Sequence, residues 1–510
     1  MARTTRGPSI AAVVSLSVSL AALVSWGQGT GGATPDPASA LSTVVAPPLR
    51  LIAPLSASIS TSQSPLFKWV GGSRDGVTVE VCHDRACKRP IISFDAGGSS
   101  ARPPRPLPSG VVFWRVTERL DPSRGRSAVW ELMIPARDSG RTGSWGAVPD
   151  FNGDGFGDLA VGAKVAHPQM RIFPGGPNGP AATPAQTLIG PPGFADEAGP
   201  AGDLDGDGFC DLAVWSSGPP VTVTVYRGGP DGLSSPVMFR APDAPAFNQM
   251  RVVSAGDVNG DGYGDLLVGG RQAQLFLGGP QGLSTTPALT LPAAASTTPD
   301  ARWPMGGADF NGDGFPDAVI SGINGPALYD GNGQTLVAHP NVPFPSSFGA
   351  VAGDFNGDGF ADVAIYAIQV GGTDGPVNLF QAIANAYHYQ GVGDVNGDGF
   401  SDALVMVSSM FGVLEAERLY FGGQTPCTST ACPTFVPLFV PGHLNDGNGL
   451  AAVVPGGLGD VNGDGFGDFA YASPGQGAVY LFYGSAAGPP EHPSLTITGE
   501  PGFAFSLARL

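Results

Sequence analysis

The stretch Asp150-Phe151-Asn152-Gly153-Asp154-Gly155-Phe156-Gly157-Asp158-Leu159-Ala160-Val161-Gly162-Ala163 decides the reading of this chain. Its pattern is D-x-[ND]-G-D-G-[FY]-x-D followed by an apolar run. The pattern begins again at Asp203, Asp257, Asp309, Asp354, Asp394 and Asp460, at intervals of 53, 54, 52, 45, 40 and 66 residues. A period of this size is that of one supersecondary unit per repeat. Further along most repeats comes a short apolar or aromatic run and a glycine turn, as in Phe173-Pro-Gly-Gly176, Tyr226-Arg-Gly-Gly229, Phe276-Leu-Gly-Gly279, Tyr420-Phe-Gly-Gly423 and Phe482-Tyr-Gly484. Each repeat therefore has room for about four short strands, the content of one propeller blade.

The loop has the chemistry of a site for a hard cation. Calcium takes about six to eight oxygen ligands in flexible geometry, and alternate side chains on an extended loop face the same way. Positions 1, 3, 5 and 9 carry oxygen side chains, and position 7, always Phe or Tyr, can offer its backbone carbonyl. The expected ligand sets are Asp150, Asn152, Asp154, Phe156 and Asp158 in loop 1, and Asp203, Asp205, Asp207, Phe209 and Asp211 in loop 2. Loop 3 supplies Asp257, Asn259, Asp261, Tyr263 and Asp265, and loop 4 Asp309, Asn311, Asp313, Phe315 and Asp317. Loop 5 supplies Asp354, Asn356, Asp358, Phe360 and Asp362, and loop 6 Asp394, Asn396, Asp398, Phe400 and Asp402. Loop 7 supplies Asp460, Asn462, Asp464, Phe466 and Asp468. Up to seven Ca2+ ions are expected, one per loop. Gly at position 6 permits the sharp turn, and the aromatic side chain is left to pack between blades. An EF-hand would need Glu at position 12 and flanking helices; here position 12 is Val161 or Val268 inside a strand-like run. Dockerin modules carry only two such loops, each leading into a helix.

These repeats resemble the FG-GAP repeats of integrin α-subunit propellers and of many secreted bacterial proteins. The Phe-Gly and Gly-Ala elements of that family stand here as Phe348-Gly349 before Asp354 and Gly162-Ala163 after Asp158. Other copies drift, to Phe194-Ala195, Trp145-Gly146 and Gly269-Gly270. The resemblance implies calcium on the blades and a propeller that acts as a binding or structural platform.

Charge agrees with bound cations. Residues 1–149 hold 16 Lys+Arg and 9 Asp+Glu, a balance of +7, whereas residues 150–510 hold 9 and 34, a balance of −25. Of those 34 acidic residues 22 lie in the loops, so the remainder of the repeats is close to neutral. A half this acidic does not bind nucleic acid through phosphates.

Ahead of the repeats, Arg3, Arg6 and the apolar run Ile10 to Val24 read as a secretory signal peptide over 1–26. No later hydrophobic span is present, so no membrane span is expected after cleavage. Residues 27–45 read as a Gly/Ala/Pro/Ser/Thr linker. Residues 46–137 read as a small antiparallel β-sandwich with strands at Leu66 to Trp69, Val77 to Cys82, Val111 to Val116 and Ala128 to Ile134, and with Trp69, Trp114 and Trp130 in its core. The run from Leu107 to Trp130 resembles bacterial fibronectin type III domains. Cys82 with Cys87 and Cys427 with Cys432 form two C-x4-C pairs, suited to local disulfides in an oxidising compartment; zinc would require the pairs to converge. Cys210 reads as a small filler inside a repeat.

The expected fold class is therefore all-β, a seven-bladed β-propeller over 144–510 preceded by the sandwich. The expected localisation is secreted, periplasmic or cell-surface. The main functional reading is an adhesion or binding platform for an unknown extracellular protein or glycan. The alternatives are a non-catalytic part of an extracellular hydrolase or lyase system, and a structural spacer. No enzyme is expected: the six histidines His83, His167, His339, His388, His443 and His492 are scattered and no G-x-S-x-G occurs. Finally, Thr496 to Ala504 matches Thr187 to Ala195, the lead-in to the second loop, yet no loop follows it. Residues 503–509 are expected to pair with the unit containing Asp150; the alternative is an unfinished eighth repeat.

Overall fold

A computed structural model describes residues 48–508 apart from 242–250, 292–303, 323–324, 340–348, 383–385, 409–413, 425–434 and 440–453 and the single residues 74, 124, 142, 271, 366 and 377. The expected signal and linker segments, the Cys427/Cys432 pair and His443 lie outside the described residues. Residues 46–510 form one unit. Its described residues are strands, turns and loops with no helix, and none is a helix able to cross a membrane. The all-β expectation holds.

Short apolar runs bounded by glycine turns give antiparallel meanders. In the second repeat Glu197–Gly202, Asp211–Ser216, Thr222–Arg227 and Ser234–Arg240 pair in chain order. The third, fifth, sixth and seventh repeats repeat this plan, starting at Arg251–Gly256, Ala350–Gly353, Ala386–Gly393 and Val454–Gly459. In these repeats the Asp loop joins the first strand of the sheet to the second. Apolar residues fill the spaces between successive sheets; Ala201, Trp215 and Val225 of the second repeat pack with Val252, Leu266 and Phe276 of the third.

The first repeat differs. Its own Leu159–Ala163, Gln169–Phe173 and Gln186–Ile189 supply three strands, and the fourth is Ser506–Leu507 from the end of the chain. Val161 pairs with Leu507 and Gly162 with Ser506. This segment is fastened by several means. Phe503 and Leu507 are buried with Leu159, Val161 and residues of the seventh repeat. Arg171 holds Glu500 through both of its terminal nitrogens, and Lys164 lies 2.6 Å from Asp196 with its ammonium over the Phe505 ring. The pairing expected for residues 503–509 is present at Ser506–Leu507.

The strand Ser144–Trp145, which precedes loop 1, is used elsewhere. It bridges Pro304–Ala308 of the fourth repeat to Ser58–Ser60 of the N-terminal region. One ten-stranded sheet results, running from the fourth repeat into Trp130–Ile134, Gly110–Glu118, Val77–Cys82 and Pro90–Ala96. A three-stranded sheet, Arg50–Ala53, Phe67–Val70 and Ser100–Ala101, shares a core with those strands. Trp69, Trp114 and Trp130 are buried in that core, as expected. Cys82 and Cys87 form a disulfide, and Cys210 is buried and free.

Truncating buried Phe503 to Ala should cost about 3–5 kcal/mol, and deleting residues 503–510 should cost at least that. Denaturant unfolding measures both; a deletion variant with the wild-type midpoint would show the C-terminal strand to be dispensable.

Candidate metal centres

The seven loops share one set of hydrogen bonds. In loop 1, Asp150 Oδ1 accepts from Gly153 N at 2.6 Å, and Oδ2 from Gly155 N at 2.7 Å. Asn152 Oδ1 accepts from Asp154 N at 2.9 Å, and Asp154 Oδ1 from Phe156 N at 3.0 Å. Each short side chain thus folds back on the amide two to five residues ahead, as Asx turns do. The position 6 glycines sit at φ of 84° to 100°, where a Cβ is strained.

Position 9 is the most engaged. In every loop its Oδ2 accepts from the position 2 N–H at 2.8–3.1 Å. Its Oδ1 accepts from the glycine turn of its own repeat, Gly175, Gly228, Gly278, Gly331, Gly371, Gly422 or Gly484, at 2.8–3.0 Å. These aspartates are almost fully buried. The sequence assigned them to a cation alone; the structure also makes each a fastener between the loop and the third strand.

The expected side-chain ligands are brought together in part: the carboxylates of positions 1, 3 and 5 meet in loop 2, whereas its position 9 Asp211, held by two backbone N–H groups, is not in that group. In loop 2, where position 3 is Asp205 rather than Asn, carboxylate oxygens of Asp203, Asp205 and Asp207 all lie within 4.8 Å of one another. In loops 1, 3, 5, 6 and 7 the Asn instead donates from Nδ2 to the position 5 carboxylate. In loop 4, Asn311 Oδ1 accepts from Asp313 N. Burial, opposed by backbone hydrogen bonds, pushes Asp257 and Asp354 up to about 7, Asp394 up to about 6 and Asp317 up to about 8. Burial, then the neighbouring Asp205, pushes Asp207 up to about 6. Burial, then Asp207 and Asp205, raises Asp203 well above the carboxylate range. Crowded, desolvated carboxylates of this kind are stabilised by a hard divalent cation, and the donors are all oxygen. The residues fit calcium; each loop's positions 1, 3, 5 and 9 would hold it, with the position 7 carbonyl.

Neighbouring loops are tied to one another. The position 8 N–H of one loop donates to the position 1 carbonyl of the preceding loop: Cys210 to Asp150, Gly264 to Asp203, Ala361 to Asp309, Ser401 to Asp354, Gly467 to Asp394, at 2.7–3.3 Å. Gly157 of loop 1 makes the same bond to Asp460 of loop 7, at 2.8 Å. Loop 4 has Pro316 here and so lacks the donor. A second bond runs from each glycine turn to the position 2 carbonyl of the preceding loop, again from Gly176 of the first repeat to Val461 of the seventh. Each position 7 ring packs on the position 4 glycine of the preceding loop, where a Cβ would stand only 2.4–2.8 Å from it; Phe156 does so on Gly463. The expectation that the aromatics pack between neighbouring units holds.

Sequence reasoning missed the arginines. Arg85, Arg50, Arg141 and Arg137 lie over the position 7 rings of Phe209, Tyr263, Phe360 and Phe400 at 4.2–4.7 Å. Arg85, inside the Cys82–Cys87 loop, also donates to the carbonyls of Gly153 and Gly208, and pairs with buried Glu131 at 3.3 Å. Burial, then Asp150, holds Glu131 well above the usual carboxylate range. The opposite charges of the two halves of the sequence were the signal for this contact.

Comparison with known proteins agrees with the repeat reading. The FG-GAP-like repeat family matches residues 203–268 and 309–365, and the FG-GAP repeat family matches residues 142–179. Among curated relatives, integrin alpha-PS2 of Drosophila melanogaster is 38% identical over 97 residues, 17% of this chain and 7% of that protein. Integrin alpha-5 of Xenopus laevis is 38% identical over 111 residues, 19% of this chain and 10% of that protein. Integrin alpha-IIb of Homo sapiens is 34% identical over 147 residues, 24% and 14%. The matches thus span 7–14% of the length of these relatives. A solved structure of a Lactobacillus plantarum protein aligns with 70% of this chain and 99% of its own, with TM-score 0.43 and 11% identity. Three segments of the chain thus match FG-GAP repeats and are similar to stretches of integrin α subunits.

Two outcomes follow from the geometry. Carboxyls raised from 3.8 to about 6–8 bind protons more tightly folded than unfolded. The metal-free fold is therefore most favoured below the ordinary range and loses that contribution as pH climbs through about 6–8. Melting in EDTA should occur at a higher temperature at about pH 5 than at about pH 8, and excess calcium should narrow the gap. Separately, Asp468→Ala leaves two N–H groups without their acceptor and should cost about 2–5 kcal/mol even in EDTA, whereas exposed Asp464→Ala should cost little without calcium. Equal losses would refute the fastening role of position 9.

Proposed function

We propose that this chain is a secreted, calcium-binding β-propeller whose seven repeats close as seven blades into a ring, preceded by a fibronectin type III-like sandwich. It serves as a non-catalytic platform for an extracellular protein or glycan. The carrying observation is the set of contacts that ties each loop to the one before it and ties the first to the seventh. That relation is what a ring requires and what an open stack lacks, and Ser506–Leu507 in the first sheet agrees with it. Calcium is supported by the repeated all-oxygen donor sets and their raised carboxyls. Secretion is supported by the basic and apolar pattern of residues 1–26 and by the Cys82–Cys87 disulfide. A binding role without catalysis is supported by the commitment of the loop acids to holding backbone and cation, which leaves them poor acid–base groups.

The N-terminal region lies against the position 6 glycines of loops 1, 2, 3, 5 and 6, whereas no described atom comes within 4 Å of where a Cβ would stand on Gly314 of loop 4 or Gly465 of loop 7. Calorimetric titration should give close to one calcium per loop, and Asp154→Ala should remove about one ion while leaving the other repeats folded. A melting temperature unchanged by EDTA would overturn the calcium reading. Pull-down from extracellular material and a glycan array, each with calcium and with EDTA, test the platform; hydrolysis of a polysaccharide by the pure protein would overturn its non-catalytic assignment.

A further inference from the structure

We infer that the peptide unit between positions 7 and 8 couples calcium binding in each loop to the loop before it, and that Pro316 interrupts this coupling once. The inference rests on the calcium reading above. One peptide unit carries two groups. Its carbonyl belongs to position 7 and is an expected ligand of its own loop. Its N–H belongs to position 8 and, in six of the seven loops, donates to the position 1 carbonyl of the preceding loop. In loop 6 the unit is Phe400–Ser401, and Ser401 N donates to Asp354 O at 3.0 Å. The side chain of Asp354 is itself an expected ligand in loop 5.

A cation on an amide oxygen withdraws electron density through the peptide and strengthens its N–H as a donor. The strengthened bond fixes the backbone of the preceding position 1 aspartate, so less ordering remains to be done when the next ion enters. The ring at position 7 acts in the same direction: Phe400 packs on Gly357, which donates to Asp354 within loop 5. Both contacts join the same two loops, so filling one favours filling the other. By linkage the effect is reciprocal.

Loop 4 supplies the exception. Pro316 has no N–H, and no bond from it reaches Asp257; its ring packs on Gly256, where a Cβ would lie 2.6 Å away. The ring contact of Phe315 on Gly260 remains. Loops 3 and 4 are thus joined by packing without the polarised bond. Ser401 occupies the equivalent place against Gly353, so proline at 401 would copy an arrangement the fold already contains.

The experiment is calcium titration by calorimetry of Ser401→Pro, Ser401→Ala and Pro316→Ala, together with hydrogen exchange of the peptide containing residue 401 in wild type. Ser401→Ala keeps the N–H and should titrate like wild type. Ser401→Pro should bind the same number of ions, with the affinity of one site reduced about fivefold, the low end of ordinary coupling, and a shallower isotherm. Adding Asp398→Ala should weaken the loop 5 site more in the wild-type background than beside Ser401→Pro, where only the ring contact remains. Pro316→Ala should steepen the isotherm, and calcium should slow exchange at residue 401. Identical isotherms for Ser401→Pro and Ser401→Ala, at unchanged stoichiometry, overturn the coupling while leaving the calcium reading intact. No calcium uptake by the wild type overturns both. Should Ser401→Pro fail to fold, an unaltered isotherm for Pro316→Ala and calcium-independent exchange at residue 401 still refute the coupling.

Discussion

The structure depends on a buried carboxylate that accepts two backbone N–H groups. At position 9 of each loop one oxygen closes the loop on itself and the other captures the glycine turn two strands away. A loop of this composition has little apolar surface with which to hold a shape. Charge-assisted hydrogen bonds in a desolvated setting supply the order that packing cannot. Because the aspartate also begins the second strand, as Asp211 and Asp468 do, loop geometry and sheet register are set by the same residue.

From that fixed point the repeats are joined by backbone rather than by side-chain charge. The bonds from position 8 and from the glycine turn use main-chain atoms, of which only the position 8 N–H of loop 4 is missing, at Pro316, so drift elsewhere in the sequence leaves them intact. Glycine at position 4 is required because the next repeat's aromatic ring lies against it. This division explains why the loops stay alike while the segments between them vary from 40 to 66 residues in period: variation is confined to places the joints do not use.

Much of this was legible beforehand, for a physical reason. Position-specific Asp, Asn, Gly and aromatic residues are rare outside a loop that needs them, so the loops and their number could be read directly. The likeness of Thr496 to Ala504 to an earlier lead-in likewise announced the pairing of Ser506–Leu507. Three features were not legible. Trp145 stands in the drifted Phe-Gly element ahead of its own loop; that it pairs with Ile59 and Ala308 depends on long-range packing that periodicity does not encode. Of the four arginines over the position 7 rings, Arg50, Arg85 and Arg137 stand in a region read as a separate sandwich and Arg141 just after it, and nothing local distinguishes Arg85 from a solvated arginine. The double engagement of position 9 was hidden because the same aspartate satisfies the simpler description of a metal ligand.

Trp145 has a bearing on how the chain finds its fold. Seven nearly interchangeable units offer many pairings that are locally satisfactory, and chains of this kind are prone to joining the wrong neighbours. Trp145 is buried among Ile59, Met305, Phe310 and Val363, with its indole edge against Gly353. The residue immediately ahead of the first repeat is thereby addressed to the fourth and fifth, across the molecule in sequence. A single bulky side chain thus distinguishes the correct arrangement from those displaced by one unit, and gives an otherwise self-similar sequence a unique origin from which its units can be counted.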